Sequence, residues 1–537
     1  MTSHSRRLTG ALALGAAALL ALSACADGAD PASTDAASAG TAVEGGNLTF
    51  AISVDSHCID PQQVGNNDAI AIARQTVASL TTQDPETGEI TPWLADSFTV
   101  NDDATRFEFT LKDGLTYADG TPIDAESVKT NFEAIQALGA KAVLGSTYLS
   151  GLSSIDVTDA QHVAVNFAAP SAQFLQATST FSLGLLSPAT AAVSQEDRCA
   201  GDFVGSGPFA VESYTPDQEA VLSKVADYDS APADAGHQGA AHLDSITYVV
   251  VPESGNRTGS LQSGQIDATA AIAPTDLALF QSGGYSTLNR ANPGVVYNLY
   301  PNESTPKLAD QNVRLAISKA IDRAEITETL LTADDVEAQA VLSTTTPLFS
   351  PQSSIAFDPD ASEKLLDDAG WAVGDDGIRE KDGEKLSFLV TYWQSPKEVL
   401  ELVQQQLRAV GIDLQLKFAT IADVQAAAAT GTQDFGYGNL TRADPDVLRT
   451  VFSARGTQNN NHREPSEVDD VLDAQAATTD SAARQKLVDQ AQQLLIEEGH
   501  SIPIYQLSTT IVSSEKVHDL KFEASSRLDF YDTWISE

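Results

Sequence analysis

Ser513 and Lys516 stand at the Ser-x-x-Lys spacing, in which an amine can draw the proton from a serine hydroxyl, but the stretch lies at the end of an expected strand with no partner motif to complete a reactive centre. His237 and His242 could offer imidazole nitrogens to a metal. Five positions apart in a Gly/Ala-rich stretch, they share no helix face and have no third ligand nearby, so they are read as part of a solvated loop. Gly-x-Ser-x-Gly, His-Glu-x-x-His, the P-loop and the dinucleotide glycine motif are absent. No catalytic residue, metal or cofactor is expected, and a secreted hydrolase is disfavoured for want of a nucleophile site.

The three cysteines carry the remaining reactive chemistry. Cys25 closes the string Leu22-Ser-Ala-Cys, which resembles the lipobox of bacterial lipoproteins and offers a thiol for thioether linkage to diacylglycerol. Arg6 and Arg7 precede an apolar run over 8–22. That run is shorter than the roughly 20 residues that span a bilayer and suits a secretory signal. Residues 1–24 are therefore expected to be a lipoprotein signal peptide, with the mature chain anchored from Cys25 to the outer face of the cell membrane. Two acyl chains, each contributing about 0.8 kcal/mol per buried CH₂, suffice for stable anchoring. The stretch that follows, to residue 45, is mostly Ala, Ser, Thr, Asp and Gly with no apolar period, and 25–45 reads as a flexible tether. Cys58 and Cys199 remain in an oxidising compartment, where a disulfide is expected; two separate buried thiols are the alternative.

The elements that must position any site follow from length and pattern. A chain of 537 residues, 42% hydrophobic and 20% charged, is too long for one core and too apolar for disorder. With 74 acidic against 31 basic side chains, its formal charge of −43 repels nucleic acid. Leu48, Phe50 and Ile52 alternate as a half-buried strand does. Trp93-Leu-Ala-Asp-Ser-Phe leads to an alternating strand from Phe107 that stops at an Asp-Gly turn, and Asp124 is placed to cap a helix carrying Val128, Phe132 and Ile135. Strands are expected over 163–167, 209–214, 246–251, 295–300, 413–418, 502–507 and 510–513. Helices are expected over 313–331, 361–369, 397–410 and 481–498, with a short one ended by Gly264. Alternating helix and strand in the second half implies an α/β lobe.

Seven blocks in order resemble the dipeptide, oligopeptide and nickel family of extracytoplasmic solute-binding proteins for ABC importers. They are the stretch 93–132, Gly205-Ser-Gly-Pro-Phe, Leu261-Gln-Ser-Gly-Gln-Ile-Asp, Val313-Arg-Leu-Ala-Ile-Ser-Lys-Ala-Ile-Asp-Arg, Leu365-Leu-Asp-Asp-Ala-Gly-Trp, Gln404-Gln-Gln-Leu-Arg-Ala-Val-Gly-Ile and Ile502-Pro-Ile-Tyr. The resemblance implies an α/β type II periplasmic-binding-protein fold: two lobes joined by a hinge, an extra subdomain inserted in the first, and no enzymatic step. Lobe I would comprise 46–80 with 204–292 and 508–537, the inserted subdomain 81–203, and lobe II 293–507. The implied partners are a small peptide or similar polar solute and an ABC permease with its ATPase subunits; a monomer is expected. A nickel chelate, an opine or a sugar-like ligand is the alternative cargo.

The resemblance also directs attention to Asn439-Leu-Thr-Arg-Ala-Asp-Pro-Asp. Peptide-binding relatives offer a carboxylate to the ligand's ammonium about three residues before the Asp-Pro, where this chain has Thr441. Arg442 beside it suits a carboxylate or other oxyanion through a bidentate fork, or else makes a surface ion pair. Asp444 either reaches the ligand or caps the helix that Pro445 opens. Trp393 falls where relatives place a cleft wall, with Tyr437, Tyr297 and Tyr148 as further aromatic candidates; packing in a core is the alternative for each.

Overall fold

In a computed structural model the chain is described from residue 41 to 536, except 282, 333–334, 394–396 and 457–458. Cys25, the expected signal peptide and most of the expected tether lie outside these residues. No helix among the described residues is long and apolar enough to cross a membrane.

Three sheets organise the described chain. The seven-stranded sheet runs, edge to edge, Tyr285–Ala291, Ser508–Ser514, Ala268–Ala270, Asn47–Ile52, Ser245–Val250, Glu219–Lys224 and Phe209–Thr215. Asn47–Ile52 is parallel to both neighbours and is covered on both faces. Leu48, Phe50 and Ile52 enter one core with Tyr248 and Phe530, while Ala51 enters another with Leu261, Phe280 and Val512. The expected half-buried strand is thus a central one, as parallel strands with two covered faces are. Ser513 is 2% exposed within this sheet, which closes its hydroxyl to any substrate.

An antiparallel four-stranded sheet, Ala95–Val100, Arg106–Leu111, His162–Phe167 and Leu152–Val157, carries the helix Ala125–Leu138. Asp124 caps that helix, its carboxylate accepting from Ser127 N at 2.9 Å. Val128, Phe132 and Ile135 are fully buried on its inner face, where the Phe132 ring meets Phe174. The chain returns to the seven-stranded body through Gly205-Ser-Gly-Pro-Phe. Glycine is required there because a Cβ at 205 would lie 1.9 Å from Thr76 O and one at 207 would lie 2.4 Å from Thr76 C. Ser206 fastens the seam, its hydroxyl donating to Leu185 O and accepting from Ala78 N. Cys58 and Cys199 form a disulfide across 141 positions, a closure that on loop entropy alone constrains the unfolded chain by about 5 kcal/mol.

The five-stranded sheet has the order Asp413–Phe418, Ser387–Tyr392, Phe435–Thr441, Gly294–Pro301 and Ile502–Tyr505. Its core holds Leu299, Ile317, Phe388, Leu407 and Phe435, all at or near zero exposure. The expected helix over 313–331 is two: Gln311–Lys319 and Arg323–Leu330, the second capped by Asp322. The break lets the buried Arg323 guanidinium reach four backbone carbonyls, those of Pro503, Ile355, Ile321 and Ser318. An uninterrupted helix would keep the last two for its own ladder. The histidine loop is also corrected. His237 is sandwiched between Tyr531 and His242, with ring centroids 4.3 and 3.9 Å away, and its Nδ1 faces Asp532 at 2.9 Å. It is packed rather than solvated because residues 531 and 532 fold back over it.

Candidate ligand-binding site

The chain leaves the seven-stranded sheet after Ala291, enters the five-stranded one at Gly294, and returns between Tyr505 and Ser508. The subdomain that carries the four-stranded sheet also meets the five-stranded body. Ala172 N donates to Ala476 O at 2.9 Å, and Gln83 Nε2 reaches Ala443 O at 3.4 Å. Arg442 belongs to the same seam. It follows the strand Phe435–Thr441, its backbone N–H donating to Pro293 O and its Nη1 to Thr441 O. Its guanidinium carbon sits 5.5 Å above the Tyr148 ring of the subdomain, so its partner is an aromatic face instead of a surface carboxylate. Thr441 ends the strand opposite Gly294 and is half-buried. Tyr148 is 4% exposed; burial pushes its phenol up, and the Arg442 charge opposes that rise.

Asp444 is part of the frame. Arg484 grips both of its carboxylate oxygens, at 2.6 and 2.9 Å, and Asp446 N donates to it at 2.8 Å. The helix Val447–Phe452 begins after Asp446, so Asp444 holds the preceding turn and is not its cap. Asp446 is fully buried, and burial pushes its carboxyl up against the pull of Arg449, which binds it at 2.7 and 2.8 Å.

Tyr297 and Tyr437 are brought together, away from Arg442, by a residue that sequence reasoning missed. Tyr505 stacks on Tyr297 with centroids 4.6 Å apart, and Tyr437 lies 5.2 Å from Tyr297. All three are buried in the core of the five-stranded body, and burial pushes the Tyr297 hydroxyl up to about 12. Tyr505 stood in the quoted Ile-Pro-Ile-Tyr block, which was its only signal. Trp393 is 41% exposed just beyond the strand Ser387–Tyr392, so it is no core tryptophan.

A cavity of about 250 Å³ opens between the subdomain and the C-terminal segment of the seven-stranded body. Its wall includes Arg74, Trp93, Gln176, Tyr228, Glu523 and Tyr531. Arg74 lies 4.9 Å above the Trp93 ring and 3.0 Å from Glu523. None of the seven ligand-site candidates lines this cavity.

Residues 89–462 match the family described as bacterial extracellular solute-binding proteins, family 5 middle. The chain belongs to this family. As a family 5 solute-binding protein it is the extracytoplasmic substrate-binding component of an ABC importer and not an enzyme. It is 25% identical over 491 residues to the probable D,D-dipeptide-binding periplasmic protein DdpA of Escherichia coli, covering 88% of this chain and 91% of that one. It is 24% identical over 488 residues to the glutathione-binding protein GsiB of the same species, covering 85% and 88%. Among solved structures it resembles NikA from Brucella suis in complex with Fe(III)-EDTA, with a TM-score of 0.78, 23% identity and coverage of 91% of this chain and all of that one. The solute-binding protein therefore has the type II periplasmic-binding-protein fold.

Proposed function

We propose that this solute-binding protein captures small peptides and hands them to its permease by closing two lobes over them. In this reading lobe I is formed by 46–80, 204–292 and 508–537 with 81–203 inserted, and lobe II by 293–507. Diacylglycerol on Cys25 and the tether over 25–45 hold the protein at the membrane surface as a monomer. The observation that carries the reading is the Arg442–Tyr148 contact at 5.5 Å, which in this reading joins lobe II to the subdomain inserted in lobe I. A ligand that adds contacts available only in the closed state shifts the population towards it. The two curated relatives support peptides as cargo, since one is a D,D-dipeptide and the other a glutathione binder by name.

A second reading, a nickel chelate, an opine or a sugar-like solute, is favoured by Thr441. It leaves no carboxylate where peptide-binding relatives meet an ammonium, and Arg442 stands beside it. Titration calorimetry with a dipeptide panel, nickel-histidine and disaccharides decides between them. Peptides are expected to bind, and Arg442→Ala is expected to weaken them at least tenfold, about 1.4 kcal/mol. Binding of the chelate alone would overturn the peptide reading, and unchanged peptide affinity in Arg442→Ala would remove that residue from the site.

A further inference from the structure

The cavity between the subdomain and the C-terminal segment is built without the five-stranded body. Its wall is drawn from 74–93, 176–180, 208, 228–235 and 521–532, and none of it from 293–507. At about 250 Å³ it far exceeds the roughly 10–15 Å³ that a single water needs, and so has room for a small molecule. Five carboxylates line it, on Asp84, Asp234, Glu523, Asp529 and Asp532, against the two cations Arg74 and Lys521. Tyr228 and Tyr531 supply aromatic surface, their rings edge to face with centroids 5.8 Å apart.

Within that wall the charged and aromatic donors are already engaged, while acceptors are left over. Arg74 is bound to Glu523 at 3.0 Å and donates to Val77 O, and Lys521 is bound to Asp532 at 2.7 Å. Trp93 Nε1 and the Tyr228 hydroxyl both donate to Ser230 O, and the Tyr531 hydroxyl donates to Gly239 O. Asp84 is taken up by its own turn, accepting from Thr87 N. By contrast, among the described residues Asp529 accepts from Tyr531 N alone, at 2.9 Å, and Arg74 Nη2 stands 3.9 Å away. Asp234 is exposed and has no side-chain partner among them. Gln176, 3% exposed, is the sharpest case. Gln83 Nε2 is committed to two carbonyls, Gly88 O and Ala443 O, which can only accept, so Gln83 Oε1 takes a hydrogen from Gln176 Nε2 at 3.0 Å. That fixes the Gln176 side-chain oxygen as a buried acceptor with no partner among the described residues, a position that a donor would relieve.

We propose that this cavity is a second binding site, for a small organic ammonium, separate from the solute seam. Asp529 and Asp234 supply the uncompensated negative charge, Gln176 the neutral acceptor, and the tyrosine rings an apolar surface whose faces also attract a cation. An anion would meet a wall with a surplus of carboxylate, and an uncharged apolar molecule would leave the free acceptors unmet. Because no residue of 293–507 lines the cavity, occupancy makes no demand on contacts across the seam.

Titration calorimetry of the natively expressed protein with phenethylamine tests the site. One molecule is expected to bind, and 2-phenylethanol, its uncharged counterpart of the same shape, is expected to bind about tenfold more weakly. Asp529→Asn keeps an oxygen to accept from Tyr531 N but loses the charge, and is expected to weaken phenethylamine about fivefold. If that variant fails to fold, Asp234→Asn, altered at an exposed residue, is expected to weaken it in the same direction. Asp360→Asn, an exposed acid outside the cavity, is expected to change nothing. Unchanged affinity in the folded cavity variants, or an equal loss in Asp360→Asn, would mean general attraction to an acidic surface and overturns the site. Phenethylamine affinity is then measured with a dipeptide at saturation and is expected to be unaltered; mutual exclusion would make the cavity part of the solute pocket and overturns its independence. Failure of every dipeptide to bind falls on the peptide reading instead, and the Asp529→Asn result decides the ammonium site in either case.

Discussion

At the scale of single residues, the segment 439–446 divides its labour within three positions. Arg442 faces an aromatic ring across the seam, while Asp444 is buried and gripped by Arg484. Asp444→Ala leaves the Arg484 guanidinium buried without its counter-charge, so it is expected to destabilise the fold by about 3–5 kcal/mol. Chemical denaturation measures this, and solute affinity per folded molecule is expected to stay within twofold of wild type. A stable variant that no longer binds would return Asp444 to the ligand. Both roles were open in the sequence, because an aspartate before Pro445 fits a turn and a binding segment equally. Arg484, forty positions on, carried no local sign of being its partner.

At the scale of elements, periodicity placed most of the helices and strands it singled out within a residue or two. Lys397–Ala409 carries Val399, Leu400, Val403 and Leu407 on one buried face, and Asp413–Phe418 follows Gly411 as the pattern requires. Where it failed, tertiary demand had overruled it. The apolar stripe through Val313, Ile317, Ala320 and Ile321 reads as one continuing helix, whereas the chain breaks to feed carbonyls to Arg323. The Asp322-Arg323 pair was a visible cap signal within that stripe. Arg323→Leu strands those carbonyls in the interior, and a loss of about 2–4 kcal/mol is expected from the orphaned acceptors. Thermal or urea unfolding would show it, and wild-type stability would mean that water or repacking satisfies them. The sandwich at His237 was hidden similarly, since its covering residue, Tyr531, is nearly three hundred positions away.

At the scale of the whole molecule, the family was readable because its blocks recur in order, whereas the sheet order was not. Nothing in Ser508–Ser514 indicates that it inserts between Ala268–Ala270 and Tyr285–Ala291. The proposed acyl anchor belongs to the same scale. Cys25→Ala is expected to release the protein into the medium or leave its precursor uncleaved, as cell fractionation would reveal, and retention at the membrane in processed form would refute the acyl anchor. The inserted strand carries a consequence for biogenesis. A polypeptide delivered N-terminus first can form the Cys58–Cys199 bond and the four-stranded sheet early, yet the seven-stranded sheet lacks an interior member until almost the last residues emerge. Until then its neighbours present open hydrogen-bonding edges to whatever else is nearby. Maturation of this receptor is therefore gated by its C-terminus, and truncation after residue 507 would leave a stapled but incomplete half that invites aggregation.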